Sequence, residues 1–283
     1  MGYGRGHSVG GSFDEIDHDI LMRQVSARVG DKRVLRLIGD YLRAPVHLDG
    51  RVEKRTRGTP QGGPLSPLLA NIYLDALDKE LERRGLHFCR YADDVVIFVN
   101  SERSGQRVLA SLTGWLEKHL KLRINVAKSG VNGPGNGKFL GFHLDAEGHT
   151  KPATTSLERF KDKVRDFWNA RRPQPLPERT EAWQDYGRGW WNYFRISDDH
   201  QEVRRTEGWI RRHLRKFFWQ RGHNRRGRAN ALRRLGAKGR QQQLASSAVG
   251  AWRLARSPTL HTVLNNARLR RWGLYVPSDL AAS

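Results

Sequence analysis

The segment Phe88–Val99, FCRYADDVVIFV, constrains the fold of this chain more than any other stretch. Two short apolar runs flank the corner Tyr91-Ala92-Asp93-Asp94, and Val95–Val99 has the β-branched and aromatic composition of a buried strand. Because Asp favours turns, this pattern predicts a hairpin with two adjacent carboxylates at its tip. Neighbouring carboxylates repel each other unless a cation neutralises them, and hard oxygen ligands suit Mg²⁺. A solvated turn without metal is the alternative that an isolated Asp-Asp corner leaves open.

The patterns before and after this hairpin predict an α+β fold. Up to Leu144 the predicted order is helix, hairpin, helix, hairpin, helix, hairpin, which is typical of an antiparallel sheet with helices packed on it. The run Lys138–Leu144, KFLGFHL, predicts a strand with a glycine inside it. No βαβ pattern is present, so the glycine-rich loop Gly58–Pro64 is not interpreted as a dinucleotide site.

The loop Gly58–Pro64 contains three glycines and two prolines, which exclude a helix or a central strand. Such a loop lets backbone approach a ligand closely, and an ordinary connector is the alternative. Ser66-Pro67 predicts the start of the next helix, with Ser66 as its N-cap and proline at the first position. Asp78 falls on a face of that helix predicted to be solvated. Apolar residues at three- and four-residue steps predict a core-facing stripe on the opposite side, made of Leu65, Leu68, Leu69, Ile72, Ala76, Leu77 and Leu81.

The charge is concentrated in the second half of the chain. The whole sequence has 51 Lys+Arg and 29 Asp+Glu, and residues 151–283 hold 29 of the basic and 11 of the acidic residues, with eight of the nine tryptophans. Basic residues interleaved with aromatics predict a nucleic-acid partner. Membrane-surface binding is the competing interpretation, but it would require an isolated basic amphipathic helix. No membrane span or secretory signal is visible, and the single cysteine, Cys89, suits a reducing compartment, so we expect a cytoplasmic location.

Four segments in the first half resemble, in this order, the consecutive palm blocks of bacterial group II intron-encoded reverse transcriptase/maturases. They are GTPQGGPLSPLLANIYLDALDKEL (58–81), FCRYADDVVIF (88–98), LKLRINVAKS (120–129) and KFLGF (138–142). RGWWNYFRI (188–196) and EGWIRRHLRKFFW (207–219) are similar to parts of that family's thumb, the maturase or X domain. The resemblance covers about residues 12–280. It implies an α+β polymerase palm at 12–145 with the fingers largely missing, after an unmatched glycine-rich stretch at 1–11. A linker at 146–156 and an all-α basic thumb/maturase domain at 157–283 follow.

The resemblance implies an RNA-directed DNA polymerase that also binds intron RNA to assist splicing and mobility. Its partners would be group II intron RNA, an RNA template with a DNA primer, and dNTPs. Polymerases of this type join a primer 3′-hydroxyl to a dNTP between two Mg²⁺ ions. The resemblance makes Asp93 and Asp94 the catalytic metal ligands. It places Phe13, Gln61, Gly62, Tyr91 and Lys128 at the substrate, and Leu140 and Gly141 at the primer end. The basic helices after residue 206 give the predicted RNA-binding residues Arg211, Arg212, Arg215, Lys216, Arg225 and Arg226.

The sequence departs from the family at one metal ligand. The family has a first aspartate six residues before the Asp of a Phe-Asp pair, which here is Phe13-Asp14, and that position is Ser8. Residues 1–13 contain no Asp or Glu. Asp14 cannot substitute, because six strand residues span roughly 20 Å whereas Mg²⁺–oxygen bonds are ~2.0–2.1 Å. We therefore interpret the chain as an N-terminally truncated member whose palm sheet lacks a well-formed strand, leaves an edge exposed and polymerises poorly. The alternatives are a non-catalytic RNA-binding remnant and an unrelated basic RNA-binding protein with a chance YADD.

Overall fold

The structure, a computed structural model, describes residues 3–8, 15–48, 51–53, 55–60, 62–124, 129–133, 136–145 and 147–280. The chain divides into two compact units, Met1–Gly148 and His149–Ser283. The division lies within the segment 146–156 that the sequence predicts as a linker. No helix of the described ranges combines the length and the apolar composition needed to cross a membrane.

The first unit has the predicted α+β arrangement of a polymerase palm, which the structure confirms. Strands β2 and β3 form one antiparallel pair, and β6 and β7 form another. The elements are β1 (Tyr3–Ser8), α1 (His18–Ser26), α2 (Lys32–Arg43), β2 (Val46–Leu48), β3 (Arg51–Glu53), α3 (Ser66–Arg83), β4 (His87–Tyr91), β5 (Asp94–Val99), α4 (Glu102–Leu120), β6 (Gly137–Phe139) and β7 (Phe142–Leu144).

The central sheet of this unit has the strand order β1-β5-β4. Strand β1 runs antiparallel to β5, with Tyr3 opposite Val99 and Ser8 opposite Asp94. The expectation that the sheet lacks a strand here is wrong. Strand pairing uses main-chain groups, so the glycine-rich sequence YGRGHS can pair with β5 even though it has no strand-like side-chain pattern.

The core of the first unit lies between this sheet and its helices. Val95 and Ile97 of β5 are buried in one core with leucines of α3 and α4. Tyr73 of α3 is fully buried, its hydroxyl donates to Leu120 O at 2.5 Å, and burial raises its pKa to about 12. Leu69, Leu77 and Leu81 of the predicted apolar stripe are buried in this core, whereas Leu68 is 56% exposed.

The start of α3 differs from the prediction. Its N-cap is Leu65, which makes no side-chain capping bond, and Ser66 is the first helical residue. The Ser66 hydroxyl instead donates to Pro60 O at 2.6 Å and lies 2.9 Å from the Tyr41 hydroxyl. The serine therefore fastens the preceding loop instead of capping the helix.

The second unit is helical and basic, as expected, apart from one short strand. Its elements are β8 (Thr150–Pro152), α5 (Thr154–Phe167), α6 (Leu176–Phe194), α7 (Gln201–Gln220), α8 (Arg225–Arg234), a 3₁₀ helix (Gly239–Ser246), α9 (Ala251–Leu254), α10 (Pro258–Val263), α11 (Asn266–Arg271) and α12 (Pro277–Leu280).

Aromatic residues form the main core of this unit. Trp168 and Trp183 are almost completely buried, with ring centroids 5.8 Å apart, and Phe217 packs edge-on against Trp168 at 5.3 Å. Arg179 is also buried, and its guanidinium donates to the backbone carbonyls of Phe167, Asn169 and Arg172 at the end of α5. This arginine therefore connects the last residue of α5, Phe167, to the loop that follows the helix.

Candidate active site and nucleic-acid interface

The predicted hairpin with two carboxylates at its tip is present. Tyr91 of β4 pairs with Asp94 of β5, so Ala92 and Asp93 form the two-residue turn. Ala92 has φ 53°, a left-handed conformation that is uncommon for residues other than glycine. Tyr91 and Asp94 are exposed and Asp93 is half-buried. The tip therefore presents both carboxyl-bearing residues where an external ligand can reach them.

Arg90 holds this turn in place. Its guanidinium donates to both carboxylate oxygens of Asp78 on α3, at 2.7 and 2.5 Å. The same group donates to Asn71 Oδ1 and to Ala92 O, each at 2.9 Å. Only 12% of the Arg90 side chain and 24% of the Asp78 side chain is exposed. A bidentate contact of this kind fixes the orientation of the Arg90 guanidinium as well as its distance from Asp78. The further bond from this guanidinium to Ala92 O therefore connects the strained residue Ala92 to α3.

Sequence reasoning missed this contact, because Asp78 was expected on a solvated face. A usable signal was present in FCRYADD. A guanidinium in an otherwise apolar strand needs an acidic partner, and α3 is the preceding element along the chain.

Ser8 lies at the position where the resemblance places a third carboxylate. It is directly opposite Asp94 in the β1–β5 register. Directly opposite residues are the nearest cross-strand neighbours in an antiparallel pair. The strand position beside the Asp93–Asp94 tip is therefore occupied by a residue without charge.

Asp17 is the N-cap residue of α1, so its carboxylate already has a structural role. It accepts from the backbone N–H of Asp19 and of Ile20 at 3.1 Å each, and Lys121 Nζ lies 2.5 Å from its Oδ2. Burial pushes the pKa of Asp17 upward, but the hydrogen bonds from Lys121 and Ile20 outweigh it and leave the pKa lowered. Asp17 is therefore engaged away from the hairpin tip. Phe13 and Asp14 lie outside the described residues.

The side chains at the tip suit one divalent cation better than two. Asp93 and Asp94 offer carboxylate oxygens, the ligands that Mg²⁺ prefers. A two-ion site holds ions about 3.5–4 Å apart and needs bridging acidic ligands to neutralise them. With a serine opposite Asp94, this sheet supplies two carboxylates where the resemblance implies three.

The predicted substrate and primer residues lie partly in the described chain. Gly62 is exposed at φ 78°, and at its neighbour Gly63 an added Cβ would fall 2.0 Å from the Tyr41 hydroxyl, so the loop packs closely on α2. Gln61 and Lys128 lie outside the described residues. Leu140 and Gly141 form the turn between β6 and β7, with φ 50° and 79°. The single strand expected for KFLGFHL is therefore wrong, because two successive positive φ values reverse the chain.

Three of the predicted RNA-binding arginines are engaged inside the second unit. Arg215 is buried, donating to Leu264 O at 3.0 Å and to Asn266 Oδ1 at 2.8 Å. The Arg212 guanidinium lies 3.6 Å from the Trp252 ring centroid and donates to that residue's carbonyl. Arg211 lies within 4 Å of both Glu207 and Asp279. Buried Arg215 cannot contact phosphate in this arrangement, which corrects its choice as an RNA ligand.

The exposed cations are concentrated around α8 instead. Arg225 and Arg226 are exposed at the start of this helix, whereas Lys216 is half-buried on α7. The stretch 222–240 contains seven basic residues and no acidic one. Within the described part of the chain, the exposed members of this stretch form no ion pair with an acidic residue. They are Arg225, Arg226, Arg233, Arg234, Lys238 and Arg240.

Two family models match the chain in the order of its two units. The model "Reverse transcriptase (RNA-dependent DNA polymerase)" matches residues 9–144, and "Group II intron, maturase-specific domain" matches residues 157–236. The chain belongs to the group II intron-encoded reverse transcriptase/maturase family. Reverse transcriptases normally use a divalent metal.

Several known proteins are similar to all or part of the chain. Protein YkfC of Escherichia coli K12 is 31% identical over 168 residues, covering 47% of this chain and 44% of that protein. The group II intron-encoded protein LtrA of Lactococcus lactis is 42% identical over 80 residues, 28% of this chain and 13% of LtrA. Telomerase from Candida tropicalis, solved with a fragment of telomeric RNA, aligns with 99% of this chain and 49% of its own at 11% identity and a TM-score of 0.46. The chain spans less than half the length of these curated relatives.

Proposed function

We propose that this chain is a group II intron-type RNA-directed DNA polymerase that also binds intron RNA, and that its polymerisation is impaired as the sequence stands. The family supports the reaction and the RNA partner. The proposed impairment rests on the strand register, which sets Ser8 opposite Asp94. In the proposed reaction the chain extends a DNA primer on an RNA template with dNTPs.

In this proposal Asp93 and Asp94 are the catalytic metal ligands. Bound Mg²⁺ would activate the primer 3′-hydroxyl and stabilise the triphosphate. Arg90 acts through Ala92 by fixing the turn, so it is a positioning residue. Tyr91 and Gly62, with the family positions Phe13, Gln61 and Lys128, would contact the substrate. Leu140 and Gly141 would support the primer end from the β6–β7 turn.

Charge neutralisation explains why polymerisation would be weak. Two divalent cations carry four positive charges, and a missing carboxylate removes one of the protein's negative charges from their immediate surroundings. Opposite charges at ~4 Å attract by about 4 kcal/mol at an effective dielectric of about 20, so each carboxylate matters. We therefore expect the second ion to bind poorly.

Primer extension tests the proposal. The assay uses a labelled DNA primer on an RNA template with Mg²⁺ and dNTPs, and compares the native chain with Ser8→Asp. We expect little product from the native chain, more from Ser8→Asp, and none from Ser8→Asp combined with Asp93→Ala. Strong Mg²⁺-dependent extension by the native chain that Asp93→Ala abolishes would show that Ser8 does not limit the reaction.

RNA binding through the α8 cations is tested by its salt dependence. Each phosphate contact to a single strand contributes about −0.7 to the slope of log affinity against log salt. Replacing Arg225 and Arg226 together by alanine should flatten that slope by about 1.4. Replacing Arg33 and Arg36, two exposed arginines of α2, removes the same charge from the other unit and is the matched control. Equal slopes for the two double variants would mean that α8 does not contact RNA.

A non-catalytic RNA-binding maturase-like protein is the second candidate. The same observation favours it, because Ser8 removes a polymerase ligand while the second unit keeps its exposed cations. The two candidates differ in the Ser8→Asp variant. Recovery of extension supports the polymerase, whereas RNA binding without any extension in either chain supports the second candidate.

A further inference from the structure

A cavity of about 650 Å³ lies within the second unit, between α5, α7 and the segment Val249–Arg253. Its volume is in the range that accommodates a small organic ligand. Six of its ten lining residues are aromatic or cationic, and none of the ten is acidic. The aromatic ones are Trp209, His213 and Trp252, and the cationic ones are Arg165, Lys216 and Arg253.

The aromatic residues form a continuous wall. The His213 ring centroid lies 4.1 Å from that of Trp209 and 4.6 Å from that of Trp252. Arg212 stacks on Trp252 and donates two hydrogen bonds to its carbonyl, at 2.9 and 2.7 Å. Arg165 lies 5.2 Å from the Trp209 ring centroid. These contacts fix the wall before any ligand arrives, which lowers the entropy lost on binding.

The middle ring of the wall is uncharged at neutral pH. His213 is buried, and burial together with Lys216, Arg165 and Arg212 lowers its pKa to about 4. Its Nδ1 is buried without a hydrogen-bond partner, so a protonated ring would have an N–H with no acceptor. The cavity therefore combines a neutral aromatic wall with three cationic side chains.

We infer that this cavity binds one unpaired nucleotide of an RNA strand, with the base against the Trp209–His213–Trp252 wall and the phosphate near Lys216 and Arg253. A base offers a π-face to the rings and its phosphate offers negative charge to the cations. An acidic peptide would use the cations but gain little from the wall. The inference rests on the proposed RNA binding and names one subsite for it.

Affinity of the full chain for a labelled single-stranded RNA, measured by fluorescence anisotropy at several salt concentrations, tests the inference. Stacking contributes about 1–3 kcal/mol per base, so Trp209→Leu should weaken binding by roughly five- to hundred-fold. The salt slope should stay unchanged, because stacking releases no counterion. Lys216→Ala should instead flatten the slope by about 0.7. Trp272→Leu, which removes a 40% exposed tryptophan of the same unit away from the cavity, is the control.

Competition identifies the ligand class. A nucleoside monophosphate should displace the RNA from the native chain more effectively than inorganic phosphate, and Trp209→Leu should abolish that difference. Equal effects of Trp209→Leu and Trp272→Leu, or better competition by an acidic peptide, would overturn the inference while leaving RNA binding intact. A native chain that binds no RNA would instead overturn the proposed function. Circular dichroism checks that each variant folds. If Trp209→Leu does not fold, competition on the native chain decides, because displacement by inorganic phosphate equal to displacement by the nucleoside monophosphate would overturn the inference.

Discussion

Replacing Ser8 by aspartate should make the stability of this protein depend on Mg²⁺. The variant places a third carboxylate directly opposite Asp94 in the β1–β5 register. Without metal, three carboxylates at one end of the sheet repel each other, so the free energy of unfolding should fall. With metal bound, the same three groups become ligands, so the loss should be recovered.

The size of both effects follows from the register. At a separation of about 5 Å, two unit charges repel by about 1 kcal/mol in bulk water and by about 3 kcal/mol at an effective dielectric of about 20. Asp94 is exposed, so the lower part of that range applies. A ligand present at 100 times its dissociation constant stabilises the folded state by about 2.7 kcal/mol. Millimolar Mg²⁺ can therefore offset the whole repulsion if the variant binds it with a dissociation constant of about 0.1 mM.

Far-ultraviolet circular dichroism during urea unfolding is the assay, with EDTA or with about 10 mM Mg²⁺. Tryptophan fluorescence is unsuitable, because eight of the nine tryptophans lie after residue 150 and only Trp115 reports on the first unit. Ser8→Asn is the matched control, since it has the shape of aspartate without the charge. Equal Mg²⁺ dependence in the native chain and in Ser8→Asp, or none in Ser8→Asp, would refute the reasoning.

Three further predictions concern stability. Asp78→Asn should lower the unfolding free energy by about 2 kcal/mol in circular dichroism, because it leaves the largely buried Arg90 without a charged partner; a loss smaller than that of the exposed Asp75→Asn control would contradict this. Arg179→Met should lower the unfolding free energy by about 3 kcal/mol, read by tryptophan fluorescence, because the hydrogen bonds from its guanidinium to three carbonyls are lost. A loss under about 1 kcal/mol would show that water replaces the guanidinium. Hydrogen bonds from Arg83 lower the pKa of Glu80 to about 2 from its usual 4.5. The contribution of this carboxylate to the free energy of unfolding is therefore present above about pH 4.5 and is lost as pH falls toward 2. Glu80→Gln should remove that part of the pH dependence of the unfolding free energy. A pH profile identical to that of the native chain would show that the Glu80 carboxylate does not contribute to it.

Local patterns predicted the elements whose residues contact their sequence neighbours. The hairpin at Phe88–Val99 follows from a β-branched run beside two aspartates, and α3 follows from leucines at three- and four-residue steps. The Leu140-Gly141 turn was missed because leucine rarely adopts a positive φ, so the pattern KFLGFHL indicates a strand. The backbone conformation there depends on pairing that composition does not encode.

The roles of individual charged and polar groups were harder to predict. Ser66 was expected to cap a helix, but Pro60 O and Tyr41 from elsewhere in the fold use its hydroxyl. Arg215 was expected at the surface, yet it satisfies carbonyl and amide oxygens inside the unit. The sequence gives the number of cationic side chains, but it does not show which of them have partners within the fold.

The pairing of β1 with β5 also sets an order for folding. More than eighty residues separate Ser8 from Asp94, so closing the sheet costs the entropy of a long loop before any strand contact forms. During synthesis, residues 3–8 leave the ribosome well before β5, so they have no strand to pair with until the YADD turn has followed. Helices α1 to α3 can form in that interval, whereas β1 must wait. The strand that carries Ser8 is thus made before the other two strands of its sheet and is among the last parts of that sheet to form.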